Sequence, residues 1–200
     1  MKLYLIRHGK TQANEQHLYC GSTDIPLSKN GKRELADKKY SIGPDCVFIT
    51  SGMQRTNETL KILFGDVRFT VEERFREIDF GIFEMKSYEQ LKDNEQYQQW
   101  ITGDNESNVP PKGESGNMVK ARVIPAVKDI ISNQKDTVII THGGVISIIM
   151  EHLFANENKN RYQWQPKQGE GYLIENDKYT EIKETYNKNG QHLFADLFLW

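Results

Sequence analysis

The sequence is poor in the features that would place it in several large classes of protein. It has only two cysteines, Cys20 and Cys46, far apart and at no metal-binding or redox spacing, so no disulfide framework is expected. No apolar run approaches the roughly 18 residues a membrane span requires. There is no basic excess: charged residues make up 27% of the chain and the formal net charge is −2. That balance speaks against nucleic acid or an anionic membrane as a partner. The first residues enter a strand pattern at once and leave no room for a signal peptide, so a cytoplasmic protein is expected. No internal repeat or low-complexity tract interrupts the 200 residues, which suit a single domain, 1–200, with a sizeable core.

What the chain does have is two short hydrophobic strands with the same ending. Leu3-Tyr-Leu-Ile6 is followed by Arg7-His8-Gly9, and Thr137-Val-Ile-Ile-Thr141 by His142-Gly143-Gly144. Uninterrupted apolar strands of this length are buried on both faces, as in parallel sheets. Ligands of open α/β sheets bind at the carboxyl ends of such strands. The two histidines should therefore meet at one mouth, with a phosphate group between them.

The rest of the pattern alternates strand and helix. After a first strand over 2–6, residues 9–26 read as a long loop. Ser28 can cap a helix to about Lys39. A strand over 46–50 precedes a helix over 54–64, and 67–71 alternates weakly as a third strand. A helix over 115–133 carries Val119, Val123, Val127 and Ile130 at helical spacing, with a kink expected at Pro125. A helix over 145–154 and a hairpin around Asn176-Asp177 close the pattern. The fold class expected is α/β: three layers, a mostly parallel central sheet with helices on both faces. The stretch 74–116 breaks the rhythm and reads as a small helical and loop cap over the mouth, with one helix over 88–100. The apolar tail from Gln191, ending Leu197-Phe-Leu-Trp200, is expected to pack back on the domain or to meet another subunit, leaving a monomer or a homodimer.

Four segments in order carry a family resemblance: Arg7-His8-Gly9 with Thr11 and Asn14; Thr50-Ser-Gly-Met-Gln-Arg55-Thr56; Arg76-Glu77-Ile-Asp79-Phe-Gly81; and Thr141-His142-Gly143-Gly144. Together they resemble the histidine phosphatase superfamily, the group that includes the phosphoglycerate mutases. The resemblance implies a small phosphorylated metabolite as substrate and neither cofactor nor metal. It places the nucleophile at His8, phosphate-gripping guanidiniums at Arg7 and Arg55, a donor to the phosphate at His142 (protonated or neutral), a close backbone N–H at Gly143, and the general acid at Glu77. Asp79 is the rival acid two residues on. Thr11 and Asn14 would order the loop or touch phosphate, and Cys20 and Gly21 align with a loop that meets substrate in relatives.

The chemistry fits those residue types. A neutral imidazole attacks phosphorus and divides one hard step into two. Nearby cations favour its neutral form, arginine forks match phosphate oxygens, and a glutamate beside a phosphate dianion can hold a proton. Departures from the family pattern are Lys10 where many relatives have glutamate, Gly52-Met53 in place of Pro-Leu, and Met85 in place of a glycine. The sequence around Glu77 and Pro111-Lys-Gly-Glu-Ser115 is similar to the phosphatase branch, with α-ribazole phosphatases and the fructose 2,6-bisphosphatase domain as its nearest likenesses. Phosphomonoester hydrolysis through a phosphohistidine is thus expected, with α-ribazole 5′-phosphate the first substrate to consider. A mutase, a fructose-bisphosphatase-type sugar-phosphate enzyme, a metal hydrolase using His8, His142, Glu77 and Asp79, and a non-catalytic phosphate-binding module are the alternatives.

Overall fold

The computed structural model describes residues 1–40, 42–104 and 106–183. The apolar tail from Gln191 lies outside the described residues. Six strands form one sheet in the order β3-β2-β4-β1-β5-β6. They are β1 (Lys2–Arg7), β2 (Val47–Thr50), β3 (Phe69–Val71), β4 (Thr137–Thr141), β5 (Gly171–Glu175) and β6 (Lys178–Ile182). β3, β2, β4 and β1 run parallel to one another, and β5 runs antiparallel to β1 and to β6. Asn176 and Asp177 both have positive φ, 52° and 58°, the backbone a two-residue hairpin turn needs.

Alternation along the central strands sorts side chains to the two faces. Leu3, Leu5, Ile49 and Ile139 face a core with Val119, Val123, Val127 and Ile130 of α6 (Gly116–Ser132) and the apolar side of α7 (Gly143–Leu153). Tyr4, Ile6, Val138 and Ile140 face Leu60 of α3 (Gln54–Phe64) on the other side. Both faces are covered, which is why these strands read as unbroken apolar runs. α2 (Lys29–Ala36) starts at Ser28, whose hydroxyl accepts the Gly31 N–H at 2.9 Å.

Several boundaries differ from the sequence reading. The 9–26 loop contains a one-turn helix, α1 (Gln12–Glu15), held by a capping box between Thr11 and Asn14. The single helix expected over 88–100 is two, α4 (Tyr88–Leu91) and α5 (Glu95–Thr102). The Asn94 side chain accepts the Tyr97 N–H and starts a new helix there. The last core helix begins at Gly143, not 145, with His142 as its N-cap residue. α6 is continuous across Pro125, which lies on its exposed face. The stretch between β3 and α6 gathers its own apolar cluster of Phe83, Leu91, Tyr97 and Trp100, joined by Tyr19 and Phe80.

Candidate active site

Register brings the first components together. β1 pairs with β4 so that Arg7 lies opposite Thr141, and the His8 N–H donates to the Thr141 carbonyl at 2.9 Å. The residues after each strand, His8 and His142, therefore leave the sheet side by side, with ring centroids 5.1 Å apart. β2 pairs with β4 on the other side, with Thr50 opposite Ile140, and delivers Ser51 and then Arg55 in the first turn of α3.

The hydrogen-bond pattern assigns the imidazole protons. His8 Nδ1 lies 2.7 Å from the Gly9 carbonyl, which can only accept, so Nδ1 carries the proton and Nε2 keeps its lone pair. Burial, then Arg55, then Arg7 hold the His8 pKa well below the ordinary histidine value, so the ring is neutral. His142 is the opposite tautomer. Arg55 Nε–H donates to its Nδ1 at 3.3 Å, which leaves Nε2–H to donate to Ser51 Oγ at 2.8 Å. Ser51 then donates to Thr56 Oγ1, which donates to the Met53 carbonyl. Burial, Arg55, His8 and Arg7 depress the His142 pKa strongly. The ring is thus neutral and both its nitrogens face protein partners, where the sequence suggests a donor aimed at phosphate.

Arg55 is buried and Arg7 half-buried beside these rings. Arg7 Nη1 donates to the Pro166 carbonyl at 2.8 Å, while its buried Nε has no partner among the described residues. Arg55 spends three N–H groups on His142, the Thr23 carbonyl (2.9 Å) and the Gly21 carbonyl (2.6 Å), leaving two of the five a guanidinium carries. Gly143 is tight against this group: a Cβ there would sit 2.9 Å from Arg7 Cζ and 2.6 Å from Gln165 Nε2. As the first residue of α7, Gly143 has an N–H with no intrahelical acceptor, at the end of the helix where partial positive charge accumulates.

Glu77 reaches the same place from the cap region. Its carboxylate accepts the Gly144 N–H at 3.2 Å and its neighbour Ile78 N–H at 3.1 Å. Its charge is felt by both Arg7 and Arg55. Arg122 of α6 fixes the loop that carries it. All five of its N–H groups are used: on the carbonyls of Arg74, Arg76 and Glu77, and twice on the Glu114 carboxylate. Asp79, the rival acid, turns its carboxylate to the Gly81 N–H at 2.7 Å and shapes the turn.

The remaining residues singled out in the sequence face inward on their loop. Thr11 and Asn14 bond each other. The Gly21, Ser22 and Thr23 N–H groups and the Thr23 hydroxyl all converge on the Glu84 carboxylate, and Cys20 Sγ reaches the Thr23 carbonyl. This loop is therefore clamped between Glu84 on its N–H side and Arg55 on its carbonyl side. Lys10 pairs with Glu34 on the surface. Met85 occupies a left-handed backbone position, φ 59°, which favours a glycine. Among the described residues, no group of three His, Cys, Asp or Glu is arranged to hold a metal ion, and no helix is long and apolar enough to cross a membrane.

Beside Glu77 and Gly144 opens a chamber of about 260 Å³. Tyr19, Phe80, Trp100 and Tyr162 give it aromatic walls, with Arg161 and Gln165 adding polar groups. The sequence reading gives Ser51, Glu84 and Arg122 no role of their own. Its one available signal was Arg122 itself, an arginine next to Val123 on an otherwise apolar helix face.

Fold and geometry together define an α/β protein with two histidines and two arginines clustered at the carboxyl ends of its parallel strands. The chain matches the profile "Histidine phosphatase superfamily (branch 1)" over residues 3–189, and it belongs to that superfamily. It is 27% identical over 193 residues to the adenosylcobalamin/alpha-ribazole phosphatase of Escherichia coli (strain K12), covering 92% of this chain and 94% of that one. It is 28% identical over 163 residues to the "Probable phosphoglycerate mutase GpmB" of Enterobacter sp. (strain 638), covering 78% and 75%. The alpha-ribazole phosphatase structure from Shigella flexneri superposes with a TM-score of 0.78 at 26% identity, covering 90% of this chain and 94% of that one.

Proposed function

We propose that this chain hydrolyses a phosphomonoester through a phosphohistidine on His8, without a metal. The observation that carries this reading is the state of His8. It is buried and neutral, with its proton committed to the Gly9 carbonyl, so that Nε2 is left with a free lone pair. Arg7 beside it has a buried Nε with no partner among the described residues, a donor for which a phosphoryl oxygen is the natural acceptor.

In the first step Nε2 attacks phosphorus in line. The N–P bond forms, the P–O bond to the leaving alkoxide breaks, and Glu77 gives that oxygen its proton. In the second step Glu77 takes a proton from water, the hydroxide attacks phosphorus, and the N–P bond breaks to release inorganic phosphate. Arg7, the two remaining N–H groups of Arg55 and the Gly143 N–H hold the phosphoryl oxygens. His142 acts chiefly by holding the Arg55 guanidinium through Nδ1. Thr11, Asn14, Cys20 and Gly21 order the loop that receives the other side of Arg55.

The likeness to an alpha-ribazole phosphatase along nearly the whole chain makes α-ribazole 5′-phosphate the first substrate to try. The likeness to a phosphoglycerate mutase over a shorter span keeps transfer between phosphoglycerate positions as the second reading. The discriminating experiment uses purified protein, p-nitrophenyl phosphate and a chelator. Turnover that survives chelation is expected. No turnover, or turnover abolished by chelation, would contradict the reading. Conversion of 3-phosphoglycerate to its 2-isomer in place of phosphate release would favour the mutase.

A further inference from the structure

Among the described residues lining the chamber, Arg161 is the one cation. Its Nη1 donates to Glu106 Oε1 at 2.7 Å. Glu106 lies in the cap loop after α5, and its second oxygen is 3.3 Å from Lys120 Nζ on α6. Lys120 in turn reaches Glu151 on α7 at 3.0 Å. Two positive and two negative charges thus form one neutral cluster behind the chamber wall. Burial pushes the Glu106 carboxyl upward, but its bonds to Arg161 and Lys120 outweigh this and hold it below the usual carboxylate value. Glu106 is therefore ionised at neutral pH, and Arg161 stays compensated. Gly116 leaves the space for the pair: a Cβ there would lie 2.6 Å from Glu106 Oε2 and 2.9 Å from Arg161 Nη1.

A leaving group entering this chamber meets aromatic faces, the Glu77 carboxylate and an arginine whose charge is already cancelled. A second anionic group on the substrate would find no free cation to offset the loss of its hydration. A flat uncharged group would stack on Trp100, Tyr19 or Tyr162. We propose that Glu106 is a specificity residue: by neutralising Arg161 it tunes the chamber to phosphomonoesters with a flat, uncharged leaving group and excludes those bearing a second anion. This rests on the phosphatase reading and adds to it a determinant far from the reacting atoms.

The test compares phenyl phosphate with 4-carboxyphenyl phosphate, which differ by one carboxylate. The wild type should prefer phenyl phosphate in kcat/KM. Glu106→Gln should uncover Arg161 and narrow that preference roughly fivefold, the upper range for a solvent-accessible charge pair. Adding Arg161→Gln should abolish the change. Arg161→Gln alone leaves Glu106 uncompensated and should widen the preference, the opposite direction to Glu106→Gln. A Glu106→Gln ratio equal to the wild type would overturn the proposal. So would a shift that persists in the double variant, or a narrowing of the preference by Arg161→Gln alone. Calorimetric binding of phenylphosphonate and 4-carboxyphenylphosphonate reads the same ratios without turnover. A protein that hydrolyses nothing therefore counts against the phosphatase reading, while these ratios still decide the role of Glu106.

Discussion

The clamp around His8 and the chamber beside Glu77 adjoin, yet they are built in contrasting ways. The clamp comes from the ends of β1, β2 and β4 and the first turns of α3 and α7. His8, Arg55 and His142 are buried, the imidazole protons are assigned by a directional chain of hydrogen bonds, and register alone sets the two histidines side by side. The chamber is assembled mostly from less regular pieces: Tyr19 from the loop after α1, Phe80 from the loop after β3 and Tyr162 from the short turn after α7, with Trp100 added by α5. Rigid elements hold the group common to all phosphomonoesters, and irregular segments hold the part that varies. Sites carried by sheet ends are precise, whereas sites carried by loops tolerate change.

If that division is right, substitutions in the clamp should damage every substrate equally. His8→Ala should lower kcat by about 10⁴-fold or more whatever the leaving group, since the nucleophile is removed outright. Hydrolysis rates for an aryl and an alkyl phosphate, measured side by side, check this, and unequal losses would break the comparison. Glu77 lies on the border between the two regions. Glu77→Gln should slow an alkyl phosphate by about 10²- to 10⁴-fold but p-nitrophenyl phosphate much less, because p-nitrophenolate leaves without a proton.

The clamp should also make stability depend on pH. His8 and His142 are held neutral in the fold, their pKa values depressed by burial and by the arginines. In the unfolded chain each returns to about 6.5. Below that pH the unfolded chain binds protons that the fold refuses, so stability is full above it and falls as pH drops. The limiting slope is about 1.4 kcal/mol per pH unit for each histidine. Thermal unfolding between pH 8 and pH 5 should show the decline, and it should be shallower in His8→Gln. At the small end lies Tyr162→Ala, on an exposed chamber residue. It should cut kcat/KM for aryl phosphates by about threefold to tenfold, spare alkyl phosphates, and change stability by no more than about 0.5 kcal/mol.

The same contrast explains what could be read from the amino-acid sequence. The core strands, α3, the hairpin and the meeting of His8 with His142 were legible, because apolar runs, turn residues and strand-end position are local signals. The tautomer of His142 was not, since it depends on Ser51 and Arg55 from a different strand and helix. Nor was the inward turn of Cys20 and Gly21: Glu84, more than sixty residues on, fills the loop that the family resemblance aligned with one meeting substrate. The cap helix expected over 88–100 was split by Asn94, whose capping side chain outweighed the apparent continuity of the pattern. The aromatic chamber draws on three remote segments, and no spacing within any one of them announces it.

The central claim is that His8 Nε2 carries the phosphoryl group between substrate and water. Rapid quenching into alkali during turnover of p-nitrophenyl phosphate, followed by mass-spectrometric mapping, tests it most directly. The account predicts phosphate on the peptide containing His8, lost in His8→Ala. Steady turnover with no phosphorylated peptide, or with phosphate on any other residue, would contradict it.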